Sequence, residues 1–206
     1  MKVRRCEGAK GLREERLQLL RRVRLANGWL ALVIAAVLVS GCGDSIHDAA
    51  LKGDVVAARR MLDTNPQLIN ARNKLGKTPL HQSLTGGNDE IITLLIERGA
   101  EVNAQDNTGL TPLHIAAWWS VTARAKILID HRADVRVTDK FGDTPLHTAA
   151  MQGRGLMAKF LLEQGADIHA KNKDGNEPLD LAKHENQEET IRVLTYFLSR
   201  ESSQKP

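Results

Sequence analysis

The sequence predicts an all-α solenoid, a stack of helix–turn–helix units, and three observations carry that prediction. The segment Thr111-Pro112-Leu113-His114-Ile115-Ala116-Ala117 has copies that begin at Thr78 and Thr144, and a degraded copy that begins at Glu177. The copies begin at positions 78, 111, 144 and 177, so the motif has a constant period of 33 residues. A second apolar segment follows the complete copies, and a loop containing Gly precedes each one. A fixed period of this length is typical of stacked repeats, because one such unit cannot bury its own apolar face.

The motif itself explains the first helix of each unit. Proline suits the first helical turn, where its fixed φ is already helical and its missing N–H costs nothing. The threonine before it is a predicted N-cap, and the Leu and the Ala pair fall on one helical face. The residues that we assign to this structural motif are Thr78, Pro79, His81, Thr111, Pro112, His114, Thr144, Pro145 and His147.

A second helix and a tight loop complete each unit. The predicted second helix carries larger apolar residues, as in Ile91 to Ile96, and it ends near a Gly such as Gly99. The loops between units place a Gly at the turn, which predicts short β-hairpin-like connections. The middle unit departs from this pattern, with Ser120 and Arg132 at positions where other units have Gly.

This combination of motif and period resembles the ankyrin repeat, and the resemblance covers about three quarters of the chain. It implies an ankyrin solenoid in which the motif histidines hydrogen-bond within and between the loops. The predicted N-terminal capping unit spans residues 46–71, and three full repeats span 72–104, 105–137 and 138–170. A C-terminal capping unit is predicted at 171–200, with Asp180 in place of the motif His, and a tail at 201–206.

The first 42 residues differ in charge from the rest of the chain. They hold nine Lys and Arg against three Asp and Glu, a net charge of +6, whereas the remainder holds 20 basic and 22 acidic residues, a net charge of −2. The basic character therefore belongs to the leader. A nearly neutral repeat region does not favour binding to nucleic acid, which needs a large phosphate-binding surface.

The leader is similar to a bacterial lipoprotein signal peptide. The basic residues end at Arg24, and Trp29 to Val39 is an uninterrupted apolar run of eleven residues, which as a helix would span only about 16 Å of a roughly 30 Å hydrocarbon core. Val39-Ser40-Gly41-Cys42 looks like a lipobox. The resemblance implies cleavage after residue 41, lipid attached to Cys42 and a tether over residues 42–45.

Two points about the leader stay open in the sequence. Its segment before Arg21 is unusually long, so translation could begin at Val23 or nearby. The apolar run could also remain uncleaved and hold a cytosolic ankyrin scaffold at the inner membrane. We favour the lipoprotein, anchored in the cell envelope and facing the periplasm. Because Gly43 is not the Asp that commonly retains such proteins at the inner membrane, the outer membrane is preferred.

The sequence offers little for catalysis or metal binding. Cys6 would be lost with the leader and Cys42 would carry the lipid, so we expect no disulfide and no cofactor beyond that covalent lipid. Motif histidines one period apart belong to neighbouring units about 10 Å apart, too far to share one metal ion. With no nucleophile elbow and no Gly-rich phosphate loop, we predict a protein that is not an enzyme and has no small-molecule substrate.

The predicted partner-binding site centres on Trp118-Trp119 in the middle repeat. Family resemblance places the end of the first helix on the concave side, near the loop tips, and exposed central Trp is a common interface hot spot. Alternatively, one Trp fills a gap left by the small, basic second helix of this repeat; we expect at least one to be exposed. An enzymatic or ligand-binding pocket under the pair is a weaker alternative. The candidate partner-binding residues are Trp118, Trp119, Phe141, Met151, Leu110 and Lys140.

Overall fold

The computed structural model describes residues 45–204, with side chains through Glu201. This part of the chain forms ten α-helices, one 3-10 helix and no strand. The predicted signal peptide, its apolar run and Cys42 lie outside the described residues, as do the last two residues. The α-helices are α1 (Ile46–Lys52), α2 (Val55–Thr64), α3 (Pro79–Gly86), α4 (Asp89–Glu97), α5 (Pro112–Trp119), α6 (Thr122–Asp130), α7 (Pro145–Met151), α8 (Gly155–Glu163), α9 (Pro178–His184) and α10 (Glu188–Gln204).

The helices form five helix–turn–helix units stacked in two layers. Within each unit the two helices pack on each other, as α5 does on α6. The first helices α1, α3, α5, α7 and α9 make one layer of consecutive contacts, and the second helices from α2 to α10 make the other. The interior between the layers is apolar and continuous, with Leu80, Leu113 and Leu146 at equivalent positions and all buried. This is the predicted all-α solenoid.

The motif threonine and histidine tie each first helix to the following loop. In the middle repeat, the Thr111 backbone N–H donates to His114 Nδ1 at 3.2 Å, and the Thr111 hydroxyl lies 2.8 Å from the same nitrogen. The proton is therefore on Nε2, which donates to the carbonyl of Asp143 in the next repeat at 3.0 Å. The equivalent Nε2 contacts run from His81 to Leu110 at 3.0 Å and from His147 to Asn176 at 3.1 Å.

The loops between units stack directly on one another. The backbone N–H groups of Asn107, Lys140 and Lys173 donate to carbonyls of the preceding loop at 2.9–3.0 Å. Gly109 makes this approach possible: its φ is +85°, and a Cβ there would lie 2.6 Å from the backbone nitrogen of Lys140. The loops are thus hairpin-like turns joined by a ladder of single hydrogen bonds rather than paired strands.

Two helical features were not predicted from the sequence. The return loop after α2 contains a 3-10 helix, Pro66–Asn70, which begins at the Asn65 cap. The last helix continues through Gln204, beyond residue 200 where the final unit was expected to end and into the predicted tail. The Glu201 carboxylate lies 3.3 Å from His169 Nε2, so this extension contacts the preceding unit.

Membrane-spanning segments are absent from the part of the chain that the structure describes. Between residues 45 and 204 no helix is both long and apolar enough to cross a bilayer.

Candidate partner-binding groove

The end of helix α5 presents the two tryptophans to solvent. The buried face of this helix is filled by Leu113, Ala116 and Ala117, and the helix ends at Ser120, whose φ of +59° reverses the chain. Trp118 and Trp119 follow the buried Ala pair and retain 41% and 51% of their exposure. Neither tryptophan therefore fills a gap in the core.

Arg124, and not a tryptophan, makes the contact beside the small second helix of the middle repeat. The Arg124 side chain on α6 reaches the preceding repeat, where its Nη atoms donate to the carbonyls of Leu84 at 3.2 Å and Gly87 at 2.6 Å. Its Nε lies 3.2 Å from the Asp89 carboxylate. This side chain caps the carboxyl end of α3, so the basic character that we considered a packing defect is an inter-repeat contact.

An arginine from the next repeat contacts the backbone of Trp118. The Arg154 Nε donates to the Trp118 carbonyl at 3.0 Å, at the carboxyl end of α5 where backbone carbonyls lack helical partners. Asn88 and Gln187 make similar contacts, at 3.4 Å to Gly53 and 3.3 Å to Met151. Asn88, Arg154 and Gln187 occupy the same position of the repeat, so three units place a donor against the end of the preceding first helix; the middle repeat has Val121 there.

The loop that carries Phe141 is held rigid from within. Asp139 Oδ1 accepts the backbone N–H groups of Phe141 at 2.8 Å and Asp143 at 3.0 Å. The Phe141 side chain projects outward and is 65% exposed. An aromatic side chain on a fixed loop loses little conformational freedom when it binds a partner, which favours an interface role.

These elements enclose one groove, lined by the first helices and the loops. Its volume is about 450 Å³, within the range of ordinary binding pockets. Five of the six predicted partner-binding residues line it, while Lys140 lies outside the lining. The lining residues are Lys77, Thr85, Thr108, Leu110, His114, Ile115, Trp118, Trp119, Asp139, Phe141, Asp143, Thr148 and Met151. We refer to this surface as the groove.

Some of these lining residues were not predicted from the sequence, although the repeat contained the information. Ile115 and Thr148 occupy the variable position of the Thr-Pro-Leu-His-x-Ala-Ala motif, and Thr85 is the counterpart of Trp118 one repeat earlier. Variation at a position inside an otherwise repeated motif is the signal that points to the groove.

His114, the histidine of the groove, is committed to structure. Burial lowers the pKa of His114, while the hydrogen bond to the Asp143 carbonyl opposes that shift. Both ring nitrogens of His114 are hydrogen-bonded, and the Thr108 hydroxyl donates to Asp106 at 2.6 Å. Among residues 45–201 no group of three or more His, Cys, Asp or Glu side chains is placed to hold a metal ion. The arrangement can bind, through apolar contact and a few polar groups.

The geometry defines a helical repeat protein with a groove lined by its first helices and its loops. The family profile described as ankyrin repeats (3 copies) matches residues 46–139 and 123–201. Since these matches cover most of the chain, the protein belongs to the ankyrin-repeat family.

Individual relatives are similar over shorter stretches. A probable E3 ubiquitin-protein ligase of Oryza sativa subsp. japonica, XBOS32, is 37% identical over 76 residues, which is 36% of this chain and 15% of that protein. The E3 ubiquitin-protein ligase XBAT32 of Arabidopsis thaliana is 35% identical over 75 residues, with the same shares covered. A putative ankyrin repeat protein of fowlpox virus, FPV240, is 38% identical over 56 residues, 27% of this chain and 14% of its own. The chain thus spans only a small part of the length of these curated relatives.

Proposed function

We propose that this protein is a non-catalytic binding module whose groove holds another protein, and that a lipid on Cys42 attaches it to a bacterial cell envelope. One observation carries the first part. Trp118, Trp119 and Phe141 are exposed on fixed backbone and line a single groove with Leu110 and Met151. Aromatic anchors clustered at the centre of a surface are the usual hot spots of protein interfaces. Ankyrin repeats as a family mediate protein–protein interaction, which agrees with this geometry.

The absence of catalysis is part of the proposal and rests on how the polar groups of the groove are used. A nucleophile needs a general base with a free lone pair close by. The Nδ1 lone pair of the His114 imidazole accepts from Thr111 and its Nε2–H donates to the Asp143 carbonyl, so it cannot serve as that base without breaking the contact to Thr111. The plant relatives are named as ligases, but their similarity to this chain covers only 15% of their length.

Site-specific photo-crosslinking tests the groove as the partner site. A photoreactive phenylalanine analogue at position 141 lies in the groove, whereas the same analogue at position 56 lies on α2 with matched exposure, since Val56 is 68% exposed. We expect a discrete crosslinked protein from position 141 only, and its loss when Trp118→Ala is added. Equal crosslinking from both positions, or crosslinking insensitive to Trp118→Ala, would contradict the proposed site.

The membrane attachment is proposed from the leader alone. The basic segment, the short apolar run and the small residues before Cys42 occur in the order that a lipoprotein signal requires. The first helix begins at Ile46 with Ser45 as its cap, so a lipid on Cys42 would leave only a three-residue tether before the solenoid. Such a protein would face the periplasm, with the outer membrane preferred.

Intact mass of the membrane-extracted protein separates this proposal from its alternative. A mature chain that starts at Cys42 with added diacylglyceryl and acyl mass is the expected result, and Cys42→Ala should abolish the modification. An unacylated chain that retains Trp29 to Val39 would instead indicate a cytosolic scaffold held at the inner membrane by an uncleaved anchor.

A further inference from the structure

The charges along the groove change sign from one end to the other. Positions 77, 110 and 143 are equivalent in consecutive repeats, and they hold Lys77, Leu110 and Asp143, all of which line the groove. The end at the first full repeat is therefore basic, the centre is apolar, and the end at the third repeat is acidic. Asp139 adds a second carboxylate at the acidic end.

The two carboxylates are held in place and still have capacity to bind. Asp139 uses Oδ1 for the loop bonds, and Asp143 uses Oδ1 to accept from Asn172 Nδ2 at 2.8 Å. Within the part of the chain that the structure describes, neither Oδ2 atom accepts a hydrogen bond, and both side chains are half-exposed. Two like charges fixed at one end of a groove favour a cation there.

Aromatic faces lie in the same groove as these carboxylates. Phe141 lies between Asp139 and Asp143 on the loop at the acidic end, and Trp118 and Trp119 line the middle of the groove. The face of an aromatic ring attracts a cation. A guanidinium can stack on an aromatic ring and donate in parallel to a carboxylate, which an ammonium cannot do as well. The acidic end of the groove thus matches an arginine better than any other side chain.

We propose that the groove binds an extended partner segment in one fixed direction, with an arginine at the end formed by Asp139, Phe141 and Asp143 and an acidic residue at Lys77. This inference rests on the proposed function and names the partner chemistry of the same site. Neighbouring repeats lie about 10 Å apart, so the two charged ends are separated by about 20 Å. An extended chain covers that distance in about six residues, so the two charges of the partner stand about six positions apart with apolar residues between them.

A membrane surface is a different occupant and fits the groove less well. Anionic lipid headgroups would be attracted to Lys77 but repelled by Asp139 and Asp143. Vesicle binding is therefore included as an outcome of the test.

The test is selection of random twelve-residue peptides displayed on phage against the full-length protein in detergent. We expect the selected peptides to carry an arginine and an acidic residue about six positions apart, in one order. For a selected peptide, replacing that arginine by the neutral isostere citrulline should weaken binding about tenfold, since a cation–π contact and an ion pair are both lost.

Matched variants of the protein keep the loops intact. Asp139→Asn removes the charge but preserves the acceptor, because Asn73 and Asn172 make the same loop bonds at equivalent positions, at 2.9–3.1 Å. Asp106→Asn makes the same change at the equivalent position one repeat earlier, where the side chain is buried and does not line the groove. We expect Asp139→Asn to weaken peptide binding severalfold and Asp106→Asn to leave it unchanged.

The outcomes separate this inference from the proposed function. Two results would overturn the directional charge match and leave the groove as a partner site. In the first, the selected peptides lose binding with Trp118→Ala but carry no basic residue. In the second, they lose binding with Trp118→Ala but bind Asp139→Asn as tightly as wild type. Peptides that bind Trp118→Ala undiminished, or failure to select any peptide, would contradict both. Binding to phosphatidylglycerol vesicles that Trp118→Ala abolishes would also overturn both, in favour of a lipid surface.

Discussion

Replacing Gly109 by alanine tests how much the stacked loops contribute to stability. Gly109 has a φ of +85°, and a residue with a side chain loses about 1–2 kcal/mol in this left-handed region. The new Cβ would also lie 2.6 Å from the Lys140 backbone nitrogen, so the loops must separate and the 3.0 Å bond from Lys140 to Thr108 is lost. That bond contributes about 1 kcal/mol, which gives a total loss of about 2–3 kcal/mol.

Gly99→Ala is the matched control for that experiment. Gly99 has a φ of +89°, but its Cβ would meet no atom within 4 Å, so only the conformational cost of about 1–2 kcal/mol remains. The free energy of unfolding of both variants is measured by urea denaturation followed by far-UV circular dichroism. Gly109→Ala should be less stable than Gly99→Ala by about 1 kcal/mol or more. Equal losses would refute the claim that contact between the loops stabilises the stack.

Three further predictions follow from buried and exposed side chains. Burial lowers the pKa of His81 and His114 from the usual 6.5, so at acidic pH the unfolded chain binds protons that these folded rings do not. The free energy of unfolding should therefore fall as the pH drops below about 6.5. Equal stabilities in urea denaturation at pH 7 and pH 5.5 would contradict this. Arg124→Ala should lower the free energy of unfolding by about 1–3 kcal/mol, because two carbonyls at the end of α3 lose their donor. The control Lys126→Ala removes only an exposed pair with Asp130 and should change it by under about 0.5 kcal/mol. Similar losses for both variants in chemical denaturation would argue against the capping role of Arg124. Trp119→Ala should leave the melting temperature within a few degrees of wild type, because the side chain is half-exposed, and a large drop would show that it packs the core.

The repeat made most of the fold predictable from the sequence. A motif that recurs at a constant period fixes the register of every first helix, and each observed first helix from α3 onward begins at the proline of its motif. Even the departure at Asp180 has a local explanation. Its carboxylate accepts the Glu177 backbone N–H at 3.0 Å, as the histidine ring does elsewhere, but it lacks the second nitrogen that would reach a following loop.

The groove was only partly predictable, because it depends on what differs between repeats. Alignment of the units identified Trp118, Trp119 and Phe141 as exceptional. It did not show that Arg124 reaches the end of α3. In the preceding repeat the corresponding donor is the amide of Asn88, at a position equivalent to residue 121, three residues before Arg124. Helix ends outside the repeat were also less certain. The extension of α10 to Gln204 brings Glu201 within 3.3 Å of His169, a contact between units that no local pattern reveals.

The affinity of the full-length protein for the partner captured at position 141 tests the central claim most directly. Isothermal titration with the purified partner would compare wild type with Trp118→Ala/Trp119→Ala and with Val56→Ala/Leu156→Ala, which removes two exposed apolar residues outside the groove. We predict that the Trp variant loses about thirtyfold or more in affinity, as hot-spot residues do, and that the control binds like wild type. Unchanged affinity in a folded Trp variant would contradict the assignment of the groove as the binding site.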